Sequence, residues 1–77
     1  MGLPQHEYQL EHRARLLTQR ETALVLRLSE RTLERLRLTG GGPSYVKAGR
    51  SVRYRQADID AWIAARVVSN TSQEATR

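Results

Sequence analysis

The segment Ser29–Leu38 reads Ser-Glu-Arg-Thr-Leu-Glu-Arg-Leu-Arg-Leu, and it sets Arg31, Arg35 and Arg37 beside Glu30 and Glu34. Its chemistry is that of the guanidinium group, a planar, permanently charged fork that meets two acceptors at once, on a phosphate or on a guanine edge. Leu33 and Leu36 are three residues apart and fall on one face of a helix. On a wheel of about 100° per residue, Arg31 and Arg35 fall opposite that face, Glu34 lies beside them and Arg37 lies nearer the apolar edge. Ser29 is a good N-cap, because its hydroxyl accepts from an otherwise unpaired amide of the first turn. A short helix held by two leucines would therefore present guanidinium groups outward, the form in which a helix enters the major groove. Ser29, Glu30, Arg31, Thr32, Glu34, Arg35 and Arg37 are the candidate recognition residues.

No other set of residues competes for catalysis. The chain has no Cys, which excludes disulfides and thiolate metal sites. His6 and His12 have only acids nearby, too few ligands for a metal. Asp58 and Asp60 lie two apart, about 200° around a helix, so they do not face each other and suit the positive end of the helix dipole instead. Gly40-Gly41-Gly42 lacks the Lys-Ser/Thr pair of a nucleotide-binding loop. An enzyme is not expected, and neither a cofactor nor a metal is implied.

Charge placement supports the nucleic-acid reading. The chain of 77 residues carries a net charge of +5. Its excess lies between Arg27 and Arg55, where Arg27, Arg31, Arg35, Arg37, Lys47, Arg50, Arg53 and Arg55 face only Glu30 and Glu34. Solubilising charge would be spread more evenly. No basic segment is backed by a bulky apolar face, which argues against a membrane surface. Apolar runs are too short to span a bilayer, and Met1 to His6 has no signal-peptide pattern. The expected location is cytoplasmic.

The elements that must position these residues follow from caps and breakers. Residues 1–15 form an arm, either a helix opened by Pro4 or a segment without fixed structure, and Arg13 and Arg15 could add phosphate contacts. Thr18-Gln-Arg-Glu21 is a capping box, and the helix it opens carries Ala23, Leu24, Val25 and Leu26 to about Arg27. A turn at Leu26–Leu28 then leads to the Ser29 cap. Two short capped helices this close have the spacing of a helix-turn-helix, though a plain helical hairpin has it too. The second helix stops at Thr39, because the glycines and Pro43 cannot continue it.

Ser44–Lys47 and Ser51–Tyr54 read as strands of a hairpin with a three-residue turn, Ala48-Gly49-Arg50. Val52 and Tyr54 point one way, Arg53 and Arg55 the other. This is a wing with one apolar and one cationic face, and Lys47, Arg50, Ser51, Arg53 and Arg55 are its candidate backbone contacts. A third helix from Gln56 or Ala57 carries Ile59, Trp62 and Ile63, with Trp62 as a core anchor. The polar tail, 69–77, is expected to be disordered. The expected fold is mainly α with a small β-hairpin wing, a winged helix-turn-helix of three short helices and a two-stranded wing over residues 16–68. A protein-interaction module would need an exposed apolar surface, and the sequence offers none beyond what the core uses.

The strings Leu17–Ala23, Leu28–Leu33, Pro43–Lys47 and Val52–Ile59 with Ala61-Trp62 resemble the small winged-helix proteins of the excisionase and AlpA-like group, relatives of the MerR-type DNA-binding domain. The likeness covers residues 16 to about 66, and Tyr-Arg-x-x-Asp-Ile-x-Ala-Trp is its most specific part. That pattern often has Trp where Leu36 stands, and fewer glycines than Gly40–Gly42. The resemblance implies a protein that binds double-stranded DNA without catalysing a reaction. In phages and integrative elements such proteins act as recombination directionality factors, occupying tandem sites in an attachment region, bending DNA and biasing an integrase toward excision, and this is the role that the resemblance implies. Self-association of neighbours along DNA goes with that role. Other members regulate transcription, which is the alternative here. The few polar residues after Arg66 leave no expected room for a dimerising helix or sensor domain, which favours the architectural role.

Overall fold

A computed structural model describes residues 15–69. The readings made for 1–14 and for the tail from residue 70 lie outside them. The elements are β1 (Leu16–Thr18), α1 (Gln19–Leu26), α2 (Glu30–Thr39), β2 (Val46–Ala48), β3 (Ser51–Arg55) and α3 (Gln56–Ala64).

Both helices of the helix-turn-helix begin on side-chain caps. Thr18 accepts from the Glu21 amide at 3.1 Å, and the Glu21 carboxylate accepts from the Thr18 amide at 2.9 Å. That bond from the Thr18 backbone holds the Glu21 carboxyl below its ordinary pKa. Ser29 accepts from the Thr32 amide at 3.0 Å. Both helices also end alike. Arg27 turns left-handed at φ 58°, and the amides of Arg27 and Leu28 return to the carbonyls of Leu24 and Ala23. Gly40 does the same at φ 83°, with Gly40 and Gly41 bonding back to Arg37 and Leu36. These are Schellman closures, and at Arg27 a Cβ-bearing residue occupies the position that glycine suits.

The wing is a larger sheet than a hairpin. Leu16–Thr18, read from sequence only as the lead into α1, is a third strand, and the order is β1-β3-β2. Pairing is antiparallel throughout, with Leu17 opposite Tyr54 and Val46 opposite Arg53. Ala48 pairs with Ser51, so the turn is Gly49-Arg50, two residues rather than three. Gly49 takes φ 62° at its first central position, as a type II′ hairpin turn requires. The strand has three residues and the last, Thr18, is already the helix cap, too few for a visible alternation.

The core is Leu17, Ala23, Leu33, Tyr54 and Ile59, with Leu26 and Val52 packed against it. One or two side chains come from each of β1, α1, α2, β3 and α3, so these five elements share one centre, and β2 is held through its pairing with β3. Buried Thr22 donates to the Thr18 carbonyl at 2.8 Å, satisfying its hydroxyl within the first turn of α1.

Two further expectations change. Trp62 is half-buried rather than central, and its indole N–H donates to the Gly41 carbonyl at 2.9 Å. Arg66 stacks on the Trp62 ring at 4.0 Å and donates to the same carbonyl at 3.1 Å. Trp62 thus anchors the glycine linker to α3. The linker is correspondingly closed: a Cβ at Gly42 would sit 3.1 Å from the Leu36 Cβ. Finally, Leu16, Leu24, Val25, Leu38, Tyr45, Ile63, Val67 and Val68 are exposed, which the sequence reading did not expect. The core has room for one or two side chains per element, and the remaining apolar residues stay outside it.

Candidate nucleic-acid interface

The outward face of α2 is the best-formed part of the site. Leu33 is fully buried and Leu36 half-buried, which fixes the rotation of the helix. Arg31 and Arg35 are exposed on the far side, with exposed Glu34 beside them, while Glu30 is exposed nearer Arg37. A shallow groove of 350 Å³ runs there, lined by Arg31, Thr32, Glu34, Arg35 and Leu38. The side chains of Arg31 and Arg35 make no ion pair or hydrogen bond among the described residues. Their donors are therefore free for an anionic or base-edge partner, at no cost in broken internal bonds.

Ser29 and Thr32 are engaged with each other. The Ser29 hydroxyl donates to the Thr32 hydroxyl at 2.9 Å while it accepts from the Thr32 amide. Their first role is to start the helix that carries the arginines.

Arg37 is placed differently from its neighbours. Its side chain is 17% exposed and turned toward the body of the domain. It donates to the Gln19 side-chain Oε1 at 3.3 Å, lies 3.7 Å from the Glu34 carboxylate and stands 5.8 Å from the Tyr45 ring. The Tyr54 hydroxyl and Arg37 Nε are both buried without a hydrogen-bond partner. Burial pushes the Tyr54 pKa up, and the positive charge of Arg37 partly offsets it. Arg37 links α1, α2 and the approach to the wing, and its guanidinium does not share the outward face. A wheel hinted at this by placing Arg37 near the apolar edge; the partners Gln19 and Tyr45 are distant in sequence and gave no signal.

The wing cations are divided. Opposed residues in an antiparallel pair share a face, so Lys47 shares the face of Val52, and Tyr54 lies on that face too, turned to the helices. Arg53 and Arg55 lie on the other face. The single cationic face expected from sequence is thus split in two. Lys47, Arg50 and Ser51 are exposed, and Arg50 sits in the turn. Arg53 is half-buried and donates to the Val52 carbonyl at 2.8 Å. Arg55 forms a two-bond pair with Asp58, at 2.7 and 3.0 Å, and that pairing raises its pKa. Asp58, read as a dipole residue, neutralises a wing cation as well. No helix among the described residues is long and apolar enough to cross a membrane.

Two comparisons bear on this geometry. No curated protein matches the chain. The family model described as "Helix-turn-helix domain" matches residues 16–67, from the first residue of β1 to just past α3. That span contains the capped helix pair, the wing and every element of the core, so the chain belongs to this helix-turn-helix family, the small excisionase/AlpA-like DNA-binding domains.

Proposed function

We propose that this chain binds double-stranded DNA sequence-specifically and acts as an excisionase, a recombination directionality factor that occupies neighbouring sites and biases an integrase toward excision. The observation that carries the DNA reading is the α2 face on which Arg31 and Arg35 stand exposed with all their donors unused. In this reading α2 lies in the major groove, and Arg31 and Arg35 take base edges, each good bidentate pair discriminating by about 1–3 kcal/mol. Thr32 and Glu34 flank them. Lys47, Arg50 and Ser51 meet the sugar-phosphate backbone, contacts that fix register without specifying sequence. Arg53 and Arg55 contribute there only as far as their internal partners release them.

The family supports the architectural role. A single module this small buries roughly 600–1,000 Å² on DNA and binds weakly alone. Occupancy then comes from neighbours, on tandem sites or through an integrase, each raising the effective concentration of the next. The protein works in the cytoplasm on the nucleoid. A map of its occupancy on host DNA at native level tests the role. Clustered, adjacent footprints beside an integration junction are expected; isolated peaks over promoters would replace the excisionase role with transcription regulation on the same fold.

A further inference from the structure

The outward face of α2 contains one residue that neither charge nor core packing explains. Leu38 is 74% exposed, and it stands apart from the core cluster that holds Leu33. At about 100° per residue, Arg31, Leu38 and Arg35 fall within a sector of roughly 60°, with Leu38 nearly in line with Arg31. Leu33, Leu36 and Arg37 occupy the opposite side. The helix is regular as far as Leu38, since it runs to Thr39, whose hydroxyl donates to the Arg35 and Leu36 carbonyls at 3.0 and 3.3 Å. Leu38 also lines the groove that Arg31 and Arg35 line. An isolated exposed leucine needs no explanation. One set in line with two unpaired guanidinium groups, inside their groove, does.

Resting on the DNA-binding reading above, we infer that Leu38 is a specificity-determining residue that reads the 5-methyl group of a thymine. Major-groove base edges present donors and acceptors, and beside them the thymine 5-methyl and the smaller cytosine C5–H; the methyl is the larger apolar target for a leucine there. Arg31 and Leu38 are separated by about 10 Å along the helix axis, some three base-pair steps. The thymine therefore lies within about three base pairs of the position contacted by Arg31. Arg31 and Arg35 supply the polar contacts of the site, and Leu38 supplies its shape.

The test begins by selecting a preferred duplex from a randomised pool with the full chain. Each thymine of that duplex is then replaced by deoxyuridine, which removes the methyl and leaves every hydrogen-bonding group in place. At one thymine the substitution should weaken wild-type binding about fourfold, the equivalent of one methyl at about 0.8 kcal/mol. In Leu38→Ala that penalty should vanish, while the penalties for changing the guanines contacted by arginine remain. Leu38 is exposed, so the variant keeps the fold, and a thermal melt verifies this. A specific site with no methyl penalty, or with a penalty equal in both proteins, overturns this assignment alone. Failure to select any sequence overturns the DNA reading and this assignment with it.

Discussion

Two arginines of one helix, Arg35 and Arg37, have the same side chain and opposite tasks. Rotation decides between them. Arg35 lies across the helix from Leu33 and is exposed; Arg37 lies beside Leu33 and Leu36 and is turned onto Gln19, Glu34 and Tyr45. A charged donor held at a 17% exposed side chain is stabilised by those partners, and removing it leaves the Tyr54 hydroxyl in an uncharged, enclosed setting. Arg37→Met keeps the apolar stem and removes the charge. It should cost about 1–2 kcal/mol in urea denaturation while leaving the preferred DNA sequence unchanged. An altered sequence preference with unchanged stability would place Arg37 on the DNA instead.

At the scale of elements, caps hold short helices that propensity alone would not. The Glu21 carboxylate is held below its ordinary pKa by the Thr18 amide, so its contribution to stability is full above the ordinary glutamate range. That contribution is lost as pH falls through the lowered folded-state value. Glu21→Gln keeps an acceptor oxygen for the Thr18 amide and cannot titrate. Its stability should therefore fall less steeply than wild type on acidification, as read by helix circular dichroism; parallel acid curves would contradict the cap assignment. At the other end of α1, Arg27 bears a Cβ at φ 58°. Arg27→Gly should stabilise the domain by about 0.5–1 kcal/mol in urea denaturation, strain relief outweighing the greater freedom of the unfolded chain. A loss instead would mean that the Arg27 side chain contributes more than its backbone strain costs.

These same elements show what was legible in the sequence. Caps and breakers act within three or four residues, so Thr18, Ser29 and Gly40 marked both helices of the pair correctly. Strand β1 was missed because its pairing partner, β3, lies far along the chain. Trp62 was misjudged because its partner is a backbone carbonyl at Gly41, invisible to hydrophobic patterning. The exposed face of Arg31 and Arg35 follows from periodicity. The internal engagement of Arg37 and Arg55 depends on partners that periodicity does not supply, although the i, i+3 spacing of Arg55 and Asp58 could have suggested theirs.

For the whole molecule, the 13 Lys and Arg residues overstate the cations that DNA would meet. Arg55 is spoken for by Asp58 and Arg37 by Gln19 and Glu34, which leaves Arg31, Arg35, Lys47 and Arg50 as the exposed, unpaired cations of the site. The account divides these into sequence-reading and backbone-holding groups. The most direct measurement compares Arg35→Ala and Arg50→Ala, each titrated over a range of salt against a selected duplex and a scrambled one. Arg35→Ala should lose about tenfold to a hundredfold on the selected duplex and much less on the scrambled one. Arg50→Ala should weaken both alike and reduce the salt slope by about one. If Arg35→Ala weakens both duplexes equally, α2 is not the element that reads the sequence, and the central claim fails.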